Sequence, residues 1–325
     1  MVHRRQCSFR IAPRTLAALA ALLLVSGCTT GFVYNRLDRV AYWYFSRQVT
    51  LSDAQSSDLK TELTQLLQWH RRSELPRYSA LLEELARDAA RPLGRRRIDA
   101  IRLEVEELWR DVLRQVAPRA AGWLADLTDE QIDELLANLA QDDEELREKY
   151  CEPDERTLAR RRERSLASAI EEWTGRLTRE QRSLVRAAVA DLDATGCEWV
   201  ANQKIFRQEL RRLLVTRTRD REFSDALTQL LLTPEERWTD TYRERFVANR
   251  ERVITLLAEI DVTLSPRQRA RLVRRFDRLA QDLRDLARSR RTAHGELGDE
   301  HDVFGRLHRS RVPHVPGERV SADPL

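Results

Sequence analysis

The densest run of side chains able to do chemistry is Trp69-His-Arg-Arg-Ser-Glu-Leu-Pro-Arg-Tyr78. His70 and Glu74 are four residues apart, so on a helix they share a face and could act as an acid–base pair or join a metal site. Arg71, Arg72, Arg77 and Tyr78 stand beside them. A catalytic zinc usually has three protein ligands, and this run offers no third. Patterns of the types His-Glu-x-x-His, Gly-x-Ser-x-Gly, Gly-x-Gly-x-x-Gly and the P-loop are absent from the chain. The stronger reading is a polar i,i+4 pair beside a kink or break at Pro76, packed by Trp69 and Tyr78. Trp69, His70, Glu74, Arg77 and Tyr78 stay as a candidate binding groove created by that kink. An enzyme centred on His70, Glu74 and Tyr78 is the alternative. No cofactor and no metal is expected, because His294, His301, His308 and His314 are spaced histidines without cysteine.

The thiol of Cys28 is the second chemical group. Residues 1–27 carry Arg4, Arg5, Arg10 and Arg14 and no acid, followed by the apolar run from Thr15 to Val25. That is a charged leader with a core too short to span the ~30 Å of bilayer hydrocarbon. It ends in Val25-Ser-Gly-Cys28, which resembles a bacterial lipobox: small residues fit the signal peptidase, and the thiol takes the diacylglycerol. Several acyl chains would then hold the mature chain firmly at a membrane. Thr29, rather than Asp, follows Cys28, which by resemblance to enterobacterial sorting implies the outer membrane.

Export would place the remaining thiols, Cys151 and Cys197, in an oxidising space. Helices expected at about 154–174 and 178–194 are joined by a short connection, so both cysteines fall at one end of an antiparallel pair. A disulfide there would stabilise the fold by roughly 3–5 kcal/mol. No Cys-x-x-Cys occurs, which weighs against redox catalysis.

The elements that must position these groups read as helices. Ten glycines and ten prolines in 325 residues are too few for a sandwich or barrel. Ile98, Ile101, Val105, Leu108, Val112 and Val116 step by three and four, as do Leu272, Phe276, Leu279, Leu283 and Leu286, giving narrow apolar stripes among charged residues. Gly94, Gly122, Gly175 and Gly196 fall near expected helix junctions, with Pro92, Pro118, Pro153, Pro234 and Pro266. The cluster Tyr42-Trp43-Tyr44-Phe45 is read as core in preference to headgroup contact. Loss of the leader removes four of 57 basic residues and leaves 53 against 53 acidic ones, so net charge lends no support to nucleic-acid binding.

Four helix starts share Leu-[Ser/Thr]-x-x-Gln: Leu51–Gln55, Leu127–Gln131, Leu177–Gln181 and Leu264–Gln268. A fifth, Leu232–Glu236, ends in Glu. Each reads as a capping box with Ser52, Thr128, Thr178, Thr233 or Ser265 at the N-cap. The element resembles the Leu-Thr-x-x-Gln hallmark of the Spy and CpxP type periplasmic proteins, which are all-helical and include chaperones. Tyr34-Asn-Arg-Leu-Asp38, Trp43-Tyr44 and Trp69–Tyr78 together are similar to a family of uncharacterised proteobacterial lipoproteins. That resemblance implies secretion, lipidation and an all-helical fold, and no catalytic residue.

The expected protein is all-α, an elongated bundle of about nine to eleven helices. Residues 1–27 form the leader, 28–31 the lipidated tether, 32–290 the helical domain and 291–325 a disordered tail. A division into 32–150 and 151–290 is left open. The expected role is binding, scaffolding or chaperone-like, at the periplasmic side of an envelope membrane. Its partners would be the membrane and unfolded or envelope protein clients, and no nucleic acid.

Overall fold

The computed structural model describes Gly31 and residues 33–289. The expected leader 1–27, Cys28 and the tail 291–325 lie outside the described residues. From residue 37 onward the chain forms ten α-helices and one 3-10 turn, and no strand occurs among the described residues. The helices are α1 (Leu37–Gln48), α2 (Asp53–Asp88), α3 (Gly94–Ala125), α4 (Asp129–Tyr150), α5 (Glu155–Thr174), α6 (Arg179–Asp191), α7 (Gly196–Val215), α8 (Arg221–Leu232), α9 (Asp240–Val262) and α10 (Pro266–Arg288).

Two struts organise the rest. Helix α2 has 36 residues and α3 has 32, lengths of about 54 and 48 Å at 1.5 Å per residue. They run antiparallel, with Arg97 on Glu84 and Asp88 at one end and Arg119 on Glu62 at the other. Helix α1 lies antiparallel along the first half of α2, and α10 lies antiparallel along its second half. Helices α8 and α9 cover α3, α7 packs on α4, and the α5–α6 hairpin closes on α9 and α10.

The apolar stripes bury into separate cores. One joins the end of α3 to α4, α7 and α8 through Ala121, Leu135, Leu214 and Leu227. Another joins α5, α6 and α9 through Ile170, Val185, Leu256 and Ile260. A third runs between α2 and α10 through Leu67, Leu75, Leu279 and Leu283, with Tyr34 at its end, so it draws on both sides of residue 150. Tyr150, Trp199 and Tyr242 form a smaller aromatic core.

Two prolines behave differently from expectation. Helix α2 continues through Pro76 and α3 through Pro118, so neither marks a break or a junction. At Pro76 the reason is tertiary: Leu75 and Ser79 on either side are buried against α10, and the Ser79 hydroxyl donates to the Ala280 carbonyl at 2.8 Å. The proline itself is exposed. This packing offsets the ~3 kcal/mol cost of an interior proline. Gly175, at φ +84°, ends α5 in a left-handed conformation suited to glycine.

Candidate functional site

The Trp69–Tyr78 segment lies on α2 where α1, α10 and the α3 strut converge. His70 Nδ1 is 2.9 Å from the Tyr34 hydroxyl. The Arg71 guanidinium lies 5.2 Å over the same Tyr34 ring. Burial lowers the His70 pKa to about 4, so the imidazole is neutral at pH 7. Burial likewise raises the Tyr34 phenol above its ordinary value, and raises Tyr78, where the Glu74 charge adds to the effect.

Arg71, Glu74 and Arg77 of the segment are engaged with other parts of the protein, while Arg72 is exposed. Arg71 donates to Asn35 Oδ1 at 2.6 Å and to the Ser289 carbonyl and hydroxyl at 3.1 Å, tying the N-terminal stretch to the end of α10. Buried Glu74 accepts from Arg77 at 2.9 Å, and Arg77 reaches on to Asp111 of α3 at 2.5 Å. Trp69 and Tyr78 stand edge-on to His70 with ring centroids 6.2 and 5.5 Å away. His70 and Glu74 therefore lie on one helix but take different partners, and what they build is a packed junction of α1, α2, α3 and α10. Tyr34, Asn35, Asp111 and Ser289 complete it. Of these, only Tyr34 and Asn35 had a local signal, within the Tyr34–Asp38 motif. Among the described residues no three His, Cys, Asp or Glu side chains converge to hold a metal ion.

The Leu-[Ser/Thr]-x-x-Gln elements do more than cap helices. Ser52, Thr128, Thr178 and Ser265 each accept from the backbone amide three residues on, and each Gln returns to its own cap amide. The four glutamines then meet in two reciprocal pairs. Gln55 Nε2 donates to Gln131 Oε1 at 2.9 Å, and Gln131 Nε2 donates back at 2.8 Å. Gln181 and Gln268 do the same at 3.2 and 2.9 Å. Each Nε2 also donates to the carbonyl just before its partner's leucine: Asp126, Thr50, Thr263 and Arg176 respectively. Only a primary amide can accept twice and donate twice in this way.

Thr233 departs from the expected pattern. It closes α8, its hydroxyl donates to the Gln229 carbonyl at 3.0 Å, and it makes no side-chain cap to the short turn Pro234–Arg237. Its fifth residue is Glu236, which has no N–H to give a partner. Helix α9 begins instead at Asp240, capped by Thr239.

Cys151, which follows α4, and Cys197, in the first turn of α7, form a disulfide with Cα atoms 5.0 Å apart. A Cβ added at Gly196 would lie 2.9 Å from the Tyr150 carbonyl oxygen, so the backbone approach beside the bridge requires glycine.

Two apolar features point outward. In the Tyr42–Phe45 cluster, Tyr42 bonds Ser56 at 2.5 Å and Phe45 packs on Trp123, but Trp43 is 44 % exposed, so the cluster is not wholly core. The stripe Ile98–Val116 on α3 belongs to none of the four cores, yet five of its six members are half-buried; Val105 is 51 % exposed, and Trp109, one turn on from it, is 44 % exposed. Its edges are held by ion pairs, with Arg97 on α2 carboxylates, Arg77 on Asp111, and Arg95 on Glu251 of α9.

No described helix is long and apolar enough to cross a membrane. No curated protein and no solved structure matches the chain. The model of one family matches residues 47–243, which hold the Trp69–Tyr78 segment, three of the four glutamine boxes and the disulfide, and on that match the chain belongs to the family of unknown function DUF6279.

Proposed function

We propose that this is a lipid-anchored, periplasm-facing helical protein that binds or scaffolds other macromolecules in the bacterial envelope, with chaperone-like capture of apolar segments as the sharper form. The observation that carries the reading is the α3 stripe. Six apolar residues at helical spacing, none of them buried, run along a strut whose flanks are fastened by Arg–carboxylate pairs, and Val105 with Trp109 one turn on stands exposed. Exposed apolar area of this kind is worth about 25 cal/mol per Å² to any segment that covers it, and it marks interaction surfaces more often than solvent faces.

The envelope location is supported by the lipobox-like residues before Cys28 and by the Cys151–Cys197 disulfide, which suits an oxidising compartment. The similarity of the glutamine boxes to the Spy and CpxP type proteins favours the chaperone-like version. An enzyme at His70, Glu74 and Tyr78 would first have to release His70 from Tyr34 and Glu74 from Arg77.

The test is aggregation of a reduced, unfolding client protein. The wild type is expected to suppress it, and the variant Val105→Asp/Trp109→Asp to lose that effect with unchanged melting temperature, since both residues are already exposed. A wild-type protein that neither slows aggregation nor captures the client refutes the chaperone-like reading.

A further inference from the structure

Helix α1 has an outward face of unusual composition. Within residues 33–49 the exposed residues are Arg36, Arg39, Trp43, Arg47 and no others. They step by three, four and four, which places all of them on one side of the helix. No carboxylate is among them. The Arg47 guanidinium lies 4.9 Å over the Trp43 ring, and on the adjoining helix exposed Lys60 lies 4.5 Å over the Tyr42 ring. The opposite face is fixed to the protein, through Tyr34 on His70, Tyr42 on Ser56, Phe45 on Trp123 and buried Val49.

We infer that this face docks on anionic phospholipid headgroups. Indole rings favour the headgroup level of a bilayer, and arginines beside an anionic surface are drawn to it. The inference rests on the acylated Cys28 proposed above, because that anchor decides which surface is near. Tyr34 follows Cys28 by six positions, a tether of at most about 20 Å, while α1 itself is ~18 Å long. With Tyr34 clamped to His70 near the middle of α2, the bilayer surface stays within reach of α1. A docked α1 would lay the long α2 strut along the membrane.

The test uses the full-length gene product purified from cell membranes and incorporated into vesicles of brominated phosphatidylcholine, with or without phosphatidylglycerol. The chain has seven tryptophans, so comparison with Trp43→Phe isolates the emission of Trp43. Bromine is expected to quench Trp43 when phosphatidylglycerol is present, and high salt to relieve the quenching. Each cation at such a surface is worth about fivefold in occupancy, so Arg39→Glu/Arg47→Glu is expected to cut the docked population by roughly thirtyfold or more.

Trp43 emission that ignores the brominated lipid overturns the inference. So does a change seen only with envelope proteins and without vesicles, which would assign the face to a protein partner. The mass of the same preparation reads the Cys28 adduct separately. An adduct without quenching sinks the docking alone, and neither adduct nor quenching sinks both proposals. Quenching without an adduct sinks the anchor and leaves the docking to stand on charge and indole.

Discussion

Replacing Gln181 by alanine removes the centre of the buried glutamine pair. Gln181 is fully buried, whereas Gln55 and Gln131 are half-buried. The substitution leaves the Thr178 amide without its acceptor at 3.0 Å, the Thr263 carbonyl without its donor at 3.2 Å, and Gln268 Nε2 without its acceptor at 2.9 Å. Thr178 is exposed and Thr263 half-buried, so those two groups cost about 1 kcal/mol each, while the stranded amide of buried Gln268 costs about 1–3 kcal/mol, and the expected loss is roughly 3–5 kcal/mol. Water can replace the missing bonds at the half-buried pair, so Gln131→Ala is expected to cost only about 1–2 kcal/mol. At about 2 °C per kcal/mol for a helical domain of this length, the melting temperatures should fall by ~6–10 °C and ~2–4 °C. Thermal unfolding followed by far-ultraviolet circular dichroism reads both. Gln181→Glu is the sharper probe: its carboxylate can still accept from Thr178 but turns a lone pair toward the Thr263 carbonyl. It should resemble the alanine variant at neutral pH and recover in acid, where the protonated group can donate. Equal shifts for Gln181→Ala and Gln131→Ala would refute the reasoning. So would additivity of Gln181→Ala with Gln268→Ala, because paired residues should show a coupling of at least ~0.5 kcal/mol.

Removal of the Cys151–Cys197 bridge, which spans 46 residues, should destabilise the protein by about 4 kcal/mol on the loop-entropy estimate, and an unchanged urea midpoint for the double serine variant would show that it does not restrain the chain. Thr239→Ala should cost about 1 kcal/mol as a lost helix cap while Thr233→Ala stays within ~0.5 kcal/mol; the reverse order in denaturant titrations would contradict the observed start of α9. His70, held neutral with its folded pKa near 4 against an unfolded value of 6.5, contributes stability that is full above pH 6.5 and is lost as pH falls toward 4. The loss is worth about 3 kcal/mol, and His70→Gln should flatten that part of the pH–stability curve. Amide exchange should be faster over residues 94–116 of α3, which contain no buried side chain, than over 117–125, which end in a core; uniform protection along the helix would show that the stripe is covered.

Much of the fold is legible because capping is local. Ser52 and Gln55 close a box within three residues, and Ile170 or Leu279 falls on a buried stripe by spacing alone. The glutamine pairing is not legible in the same way: Gln55 and Gln131 are 76 residues apart and Gln181 and Gln268 are 87 apart. The clue available was chemical, since four boxes end in an amide that can donate outward and the fifth, at Glu236, cannot. Pro76 misleads because its cost is repaid by α10, about 200 residues downstream. The candidate site was legible as a cluster but not as a junction, because the partners of His70 and Arg71 are Tyr34, Asn35 and Ser289, distant along the chain and ordinary in type.

The two glutamine pairs bear on why α3 buries no side chain between residues 94 and 116 although an apolar stripe runs along it. One pair joins the α1–α2 turn to the α3–α4 turn; the other joins the α5–α6 turn to the α9–α10 turn. Helix α2 starts at the first pair and ends beside the second, where Arg269 bonds the Ala89 carbonyl at 3.1 Å. Helix α3 makes the return journey, from Leu93, whose amide donates to Asp261 at 2.6 Å, to Asp126 at the first pair. Each strut thus crosses about 50 Å between two clasped ends, and the cores with Leu127 and Leu177 sit at those ends. Helix α10 covers the far half of α2 with a stripe of leucines. Helix α9 meets α3 through Arg95, Glu251 and Thr255 instead. Ion pairs of long side chains hold two helices in register without filling the space between them, and as surface pairs they contribute little each. A span held at both ends and fastened along its rims keeps its apolar middle half-buried beneath its neighbours, with the side at Val105 and Trp109 left exposed.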